Sequence, residues 1–134
     1  MFESFDHVGV AVASMDEAIA DYRERFDMEL VAREVVEAHA IDIAMLAAGS
    51  GRVELLAPLA PDSMIGRFIE SRGAGLHHLA YRVPDIDAAL ATLRERGVEM
   101  LDEEARTGFG GTRIAFVHPD QTGGVLTELV EAAR

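Results

Sequence analysis

Gly75-Leu76-His77-His78-Leu79-Ala80-Tyr81-Arg82-Val83 decides how this chain is read. It is a short apolar stretch carrying two histidines, and it repeats an earlier one. Shifted by 71 positions, the separation of His7 and His78, Asp6-His7-Val8-Gly9-Val10-Ala11-Val12 falls on His77-His78-Leu79-Ala80-Tyr81-Arg82-Val83. At the same shift Asp16, Ala18, Ala20, Arg23-Glu24-Arg25 and Leu30 meet Asp87, Ala89, Ala91, Arg94-Glu95-Arg96 and Leu101. Ile43-Ala44 then meets Ile114-Ala115. The chain is a tandem duplication, and one histidine stands in both copies.

Outward from these two stretches the elements follow from periodicity and caps. Phe5 to Val12 alternates apolar and small residues and reads as a strand. Ser14-Met15-Asp16-Glu17 is a capping box, opening a helix whose Met15, Ala18, Ile19, Tyr22 and Phe26 recur at helical spacing. Strands are expected at about Glu29 to Glu37, Ile41 to Ala47 and Arg52 to Ala57, the last two joined by a turn at Gly49-Ser50-Gly51. Pro58 to Gly75 connects the copies through a short helix capped by Asp62 or Ser63 and closed by Gly73. The second copy predicts a strand over Leu76 to Val83 and a helix over Ile86 to Arg96. Further strands are expected at Val98 to Leu101, Arg113 to Val117 and Val125 to Val130. Each copy is βαβββ, which makes the chain α+β. At roughly 60 residues neither copy buries a comfortable core alone. The expectation is one domain over 1–134, with module one at about 1–60, a connector at about 61–74 and module two at about 75–134.

Composition narrows the function classes. A 49% hydrophobic and 27% charged chain without a long apolar run reads as a soluble globular protein, expected in the cytoplasm. The net charge of −12 argues against nucleic acid and anionic membranes as partners. With no cysteine there is neither a disulfide framework nor thiolate chemistry. All twelve basic residues are arginine, so a Schiff-base lysine is excluded.

Chemistry is carried by the first and last strands of each copy. Arg52-Val53-Glu54-Leu55-Leu56 and Leu126-Thr127-Glu128-Leu129-Val130 each set one carboxylate inside an apolar strand. The second copy carries three extra residues before its last strand, so Glu54 and Glu128 are counterparts at a shift of 74. A lone strand histidine or glutamate is ordinarily structural. A His–Glu pair kept in both copies points instead to a metal site formed by His7, Glu54, His78 and Glu128. Two imidazoles and two carboxylates suit one divalent ion per chain, such as cobalt, nickel, manganese, zinc or iron; cobalt is the one expected. Four ligands on an octahedral ion leave two positions open, so the site reads as catalytic. His77 faces away from its neighbour His78, and His118-Pro119 reads as a turn, so neither is expected to ligate. His39 is left open.

Two βαβββ modules with a His–Glu pair in each resemble the vicinal-oxygen-chelate superfamily, which includes glyoxalase I. Asp6-His7-Val8-Gly9-Val10-Ala11-Val12, Glu54-Leu55-Leu56-Ala57-Pro58-Leu59, Gly75-Leu76-His77-His78-Leu79-Ala80 and Asp102-Glu103-Glu104-Ala105-Arg106 are more narrowly similar to the methylmalonyl-CoA epimerase family. So is the segment from His118-Pro119 through Gly123-Gly124-Val125-Leu126-Thr127-Glu128-Leu129. The resemblance implies a curved eight-stranded mixed sheet around a metal site, a homodimer and an acyl-CoA substrate. The implied reaction is metal-dependent epimerisation of (2R)- and (2S)-methylmalonyl-CoA by α-proton abstraction through an enolate. It assigns one catalytic base to Glu128 and the other to a carboxylate on the third strand, where Asp42 is the candidate and an exposed strand residue is the alternative, with His39 or a water next in line. Relatives often have Gln-Gly where this chain has His39-Ala40, and a proline where it has Met64. Rival readings are a glyoxalase I-like lyase and a non-enzymatic small-molecule-binding protein of the same fold.

Overall fold

The computed structural model describes residues 1–133. In chain order the elements are β1 Ser4–Ala11, α1 Met15–Phe26, β2 Glu29–Val36, β3 Ile41–Ala48, β4 Gly51–Pro58 and α2 Met64–Arg72. They continue with β5 Gly75–Arg82, α3 Ile86–Glu95, β6 Arg106–Thr107, β7 Arg113–Val117 and β8 Thr127–Glu131. The βαβββ order occurs twice, with α2 between the copies. The eight strands form one mixed sheet in the order β2-β3-β4-β1-β5-β8-β7-β6. β1 pairs with β4, and β5 with β8, in parallel; the β2–β3, β3–β4, β7–β8 and β6–β7 pairs are antiparallel. No helix among the described residues is long and apolar enough to cross a membrane. The chain divides into two compact units, one of Val8–His77 and one of Met1–His7 with His78 onward, so the division cuts through β1 and β5.

In the Val8–His77 unit, Ser14 Oγ accepts the Glu17 N–H at 3.4 Å and starts α1. The apolar stripe of α1 buries Met15 and Ile19 against Ala44, Leu46, Leu55 and Ala57. Those four come from alternate positions of β3 and β4 and therefore share one face of the sheet. The residues between them turn the other way, and Met45 stands opposite Glu54 on that second face. Ser63 Oγ caps α2 by accepting the Gly66 N–H at 3.1 Å. Phe68 of α2 meets the His77 ring edge-on at 4.7 Å.

The other unit repeats this logic. Asp85 accepts the Ala88 N–H at 3.0 Å and opens α3, whose Ile86, Ala89 and Leu90 pack on Val83, Ala115 and Leu129. On the opposite face Ala80, Ile114, Phe116 and Val130 form a second apolar layer. The expected strand at Val98 to Leu101 reduces to a single bridge between Met100 and Val117. The outer edge of β7 is shared, because β6 takes its Arg113–Ile114 end. The last strand starts at Thr127 rather than Val125, because Gly123 and Gly124 both adopt positive φ, at 68° and 97°, and hold a turn immediately before it.

His77 gives the fold a pH dependence. Burial, aided by the nearby Arg72 guanidinium, pushes its imidazole down to about 4 from the ordinary 6.5. The unfolded chain then takes up this proton first as pH falls. The associated stability is full above about pH 6.5 and is lost on the way down to about pH 4, by up to on the order of 3 kcal/mol. His77→Leu should therefore show a smaller drop in urea midpoint between about pH 7 and about pH 4.5 than the parent does. Equal drops in the two proteins would remove His77 as the source.

Candidate metal centre

Strand geometry delivers the candidate ligands. In the parallel β5–β8 pair Ala80 stands beside Glu128, and His78, two residues before Ala80, shares its face. His7 comes from β1. Its Nε2 lies 3.0 Å from His78 Nε2, with the two rings nearly perpendicular at 83°. Glu128 stands beside both, Oε1 at 3.6 Å from His7 Nε2 and Oε2 at 3.8 Å from His78 Nε2. All three side chains are buried. Glu54, also buried, pairs with Gly9, two residues along β1 from His7.

The donor set fits a divalent cation. Two imidazole nitrogens at 3.0 Å are held either by one N–H donating to the other or by a cation that takes both lone pairs. Nearby carboxylates favour the cation, and mixed nitrogen and oxygen donors suit a divalent transition ion. Ile114, Phe116, Val130 and Ala80 layer the face that carries Glu128 and keep it dry. Phe116 presents its ring edge-on to His78 at 5.4 Å. Arg106 covers Phe116 at 5.5 Å, and Asp102 binds both Arg106 Nε and the Phe116 N–H, at 3.2 and 2.8 Å.

Asp6 and Arg82 adjoin His7, and the sequence reading left them without a role. Asp6 Oδ2 is 2.7 Å from His7 Nδ1, and Arg82 donates to Asp6 Oδ1 from Nε at 3.1 Å and Nη2 at 2.8 Å. The available signal was an acid directly before a candidate ligand, at a position where the second copy has His77.

Asp42 needs correction. It pairs with Ala57, so it lies on the α1 side of the sheet, the opposite face from Glu54 and Met45. Its two oxygens are taken by Arg33 Nε at 3.2 Å and Nη2 at 2.8 Å. Arg33 also binds Asp16 at 2.9 Å, and these bonds, Asp42's first, hold the guanidinium above its ordinary pKa. A carboxylate so engaged, on that face, is a structural ion pair. His39 is exposed in the turn of Glu37–His39. His118 Nδ1 accepts the Asp120 N–H at 3.1 Å and organises a turn.

Residues 6–116 match the Glyoxalase/Bleomycin resistance protein/Dioxygenase superfamily. The methylmalonyl-CoA epimerase of Mycobacterium tuberculosis superposes with a TM-score of 0.94 at 43% identity, over 99% of this chain and 90% of that one. A methylmalonyl-CoA epimerase solved in complex with methylmalonyl-CoA and NH4+ also gives 0.94, at 37% identity, over 99% of this chain and 96% of that one. The ethylmalonyl-CoA/methylmalonyl-CoA epimerase of Cereibacter sphaeroides is 34% identical over 96% of this chain and 98% of its own length. The chain belongs to the glyoxalase/bleomycin resistance/dioxygenase superfamily, among relatives that are methylmalonyl-CoA epimerases.

Proposed function

We propose that this protein interconverts the C2 epimers of methylmalonyl-CoA, with one divalent metal ion held by His7, Glu54, His78 and Glu128. The observation that carries the reading is the convergence of His7, His78 and Glu128 in a buried, apolar-walled cluster. Full-length similarity to epimerases of this substrate supports it. Cobalt is the ion we put first, with nickel, manganese, zinc or iron as alternatives.

The substrate's C2–H lies between a carboxylate and a thioester carbonyl, so its loss leaves a planar enolate. A divalent ion in the site supplies Lewis-acid stabilisation of the negative charge that develops. Glu128 moves the proton between its carboxylate and C2 on one face of the plane. Epimerisation requires an acid–base group on the other face as well, and the ion pair with Arg33 leaves Asp42 unsuited to that part. The apolar layer of Ile114, Phe116 and Val130 limits water beside Glu128, which strengthens each electrostatic interaction there. Assembly as a homodimer follows the family resemblance, and light scattering should read twice the chain mass; a monomer at working concentration would remove that part.

Protein purified without chelator should hold close to one divalent ion per chain by elemental analysis, and His7→Ala should lose most of it. Equal metal content in the two proteins would remove His7 as a ligand. In heavy water, proton NMR of methylmalonyl-CoA with the metal-loaded protein should show deuterium entering C2. Glu128→Gln should slow that exchange by about a hundredfold or more. No exchange in the parent protein would move a glyoxalase-like or ligand-binding role ahead.

A further inference from the structure

We propose that Asp6 and Arg82 form a positioning pair that sets the tautomer of His7, and that Arg82 is the reason an amide cannot replace the carboxylate at position 6. The inference rests on the reading of His7 as a ligand. The two oxygens of Asp6 have separate partners: Oδ2 faces His7 Nδ1 at 2.7 Å, and Oδ1 takes both Arg82 donors at 3.1 and 2.8 Å. Asp6 and His7 side chains are each 3% exposed, so water does not substitute for these bonds. The carboxylate held by Arg82 accepts, so Nδ1 carries a ring proton, and in the neutral ring the lone pair lies at Nε2. That lone pair points at His78 Nε2 and Glu128. A carboxylate behind a ligating imidazole fixes its orientation and raises its basicity.

Arg82 makes this arrangement sensitive to chemistry rather than shape. In Asp6→Asn the side chain keeps its size but has one acceptor and one donor end. A guanidinium has only donors, so Arg82 claims the amide oxygen and turns the NH2 towards His7. Nδ1 then has to accept, the ring proton moves to Nε2, and the lone pair needed by the metal is lost. Removing Arg82 as well takes away the guanidinium that claims the amide oxygen, so that this oxygen again faces Nδ1. The second change should therefore repair the first. The pair also occurs once only in the duplication: at the shift of 71 the counterpart of Asp6 is His77 and that of Arg82 is Ala11. Each copy contributes one half of a device that acts on a single histidine.

The test reads the tautomer directly. Long-range proton–nitrogen correlation NMR on metal-free protein at about pH 8, above the ordinary imidazole range, distinguishes Nδ1–H from Nε2–H; the His7 signals are assigned by their absence in His7→Gln. The parent should show Nδ1–H, Asp6→Asn should show Nε2–H, and Asp6→Asn with Arg82→Ala should return to Nδ1–H. Metal affinity, measured by competition with a chromophoric chelator, should fall about 10–100-fold in Asp6→Asn and recover by at least half of that loss on a logarithmic scale in the double variant. An Nε2–H tautomer in the parent overturns the proposal without any Asp6 or Arg82 variant, so misfolding of Asp6→Asn cannot shield it. Retention of Nδ1–H in Asp6→Asn, or a double variant that binds metal no better than the single, also overturns it. Substrate is absent from these measurements. Failure of C2 exchange would remove the epimerase reading and leave this one standing, and the reverse result would do the opposite.

Discussion

Two imidazole nitrogens facing one another at 3.0 Å, inside the protein, are the constraint on which this structure depends. Two lone pairs at that distance repel, so one nitrogen must carry a proton or both must bind a cation. Burial raises the stakes, since an unmatched polar atom there costs on the order of 1–3 kcal/mol. Glu128 beside both rings biases the choice towards a cation, because its negative charge in a dry setting favours positive charge nearby. The strands that bring these groups together are otherwise ordinary. Each needs only one polar side chain on its apolar face, with alternation doing the rest.

The duplication made the candidate ligands and most of the strands legible before any coordinates. A histidine on the first strand and a glutamate on the last, present twice, singled out His7, Glu54, His78 and Glu128 from the other acids and imidazoles. His77 could be set aside by alternation alone, and its burial against Phe68 agrees with a structural part. What a single sequence does not carry is register. Asp42 and Ile43 are neighbours on opposite faces, and choosing the functional face of β3 requires knowing that Met45, not Ala44, stands opposite Glu54. A one-residue error inverts every assignment on the strand. The short edge at β6 escaped for a related reason: two stretches compete for the same side of β7, and pairing partners decide between them rather than local propensity.

Asp6 was hidden differently. Adjacent residues in an ideal strand point apart, so an acid next to a ligand reads as facing the other way. Here its oxygen nonetheless reaches the neighbouring ring at 2.7 Å, with Arg82 holding the carboxylate from the other end. The sequence distance between Asp6 and Arg82 is 76 positions, and nothing in local composition joins them.

The distribution of change between the copies carries a physical lesson. The candidate ligand positions are the same in both, while the residues around them differ: Asp6 against His77, and Ala11 against Arg82. A metal-binding imidazole tolerates few alternatives, because a ligand must offer a lone pair at a set distance. Its surroundings are freer, since orientation can come from a carboxylate, a carbonyl or an aromatic edge. His7 is backed by a carboxylate, whereas His78 has the Phe116 edge, itself steadied by Arg106 and Asp102. Two chemically equal imidazoles thus differ in these neighbours. A carboxylate at His7 Nδ1 feeds electron density into that ring, and an aromatic edge constrains the other by shape.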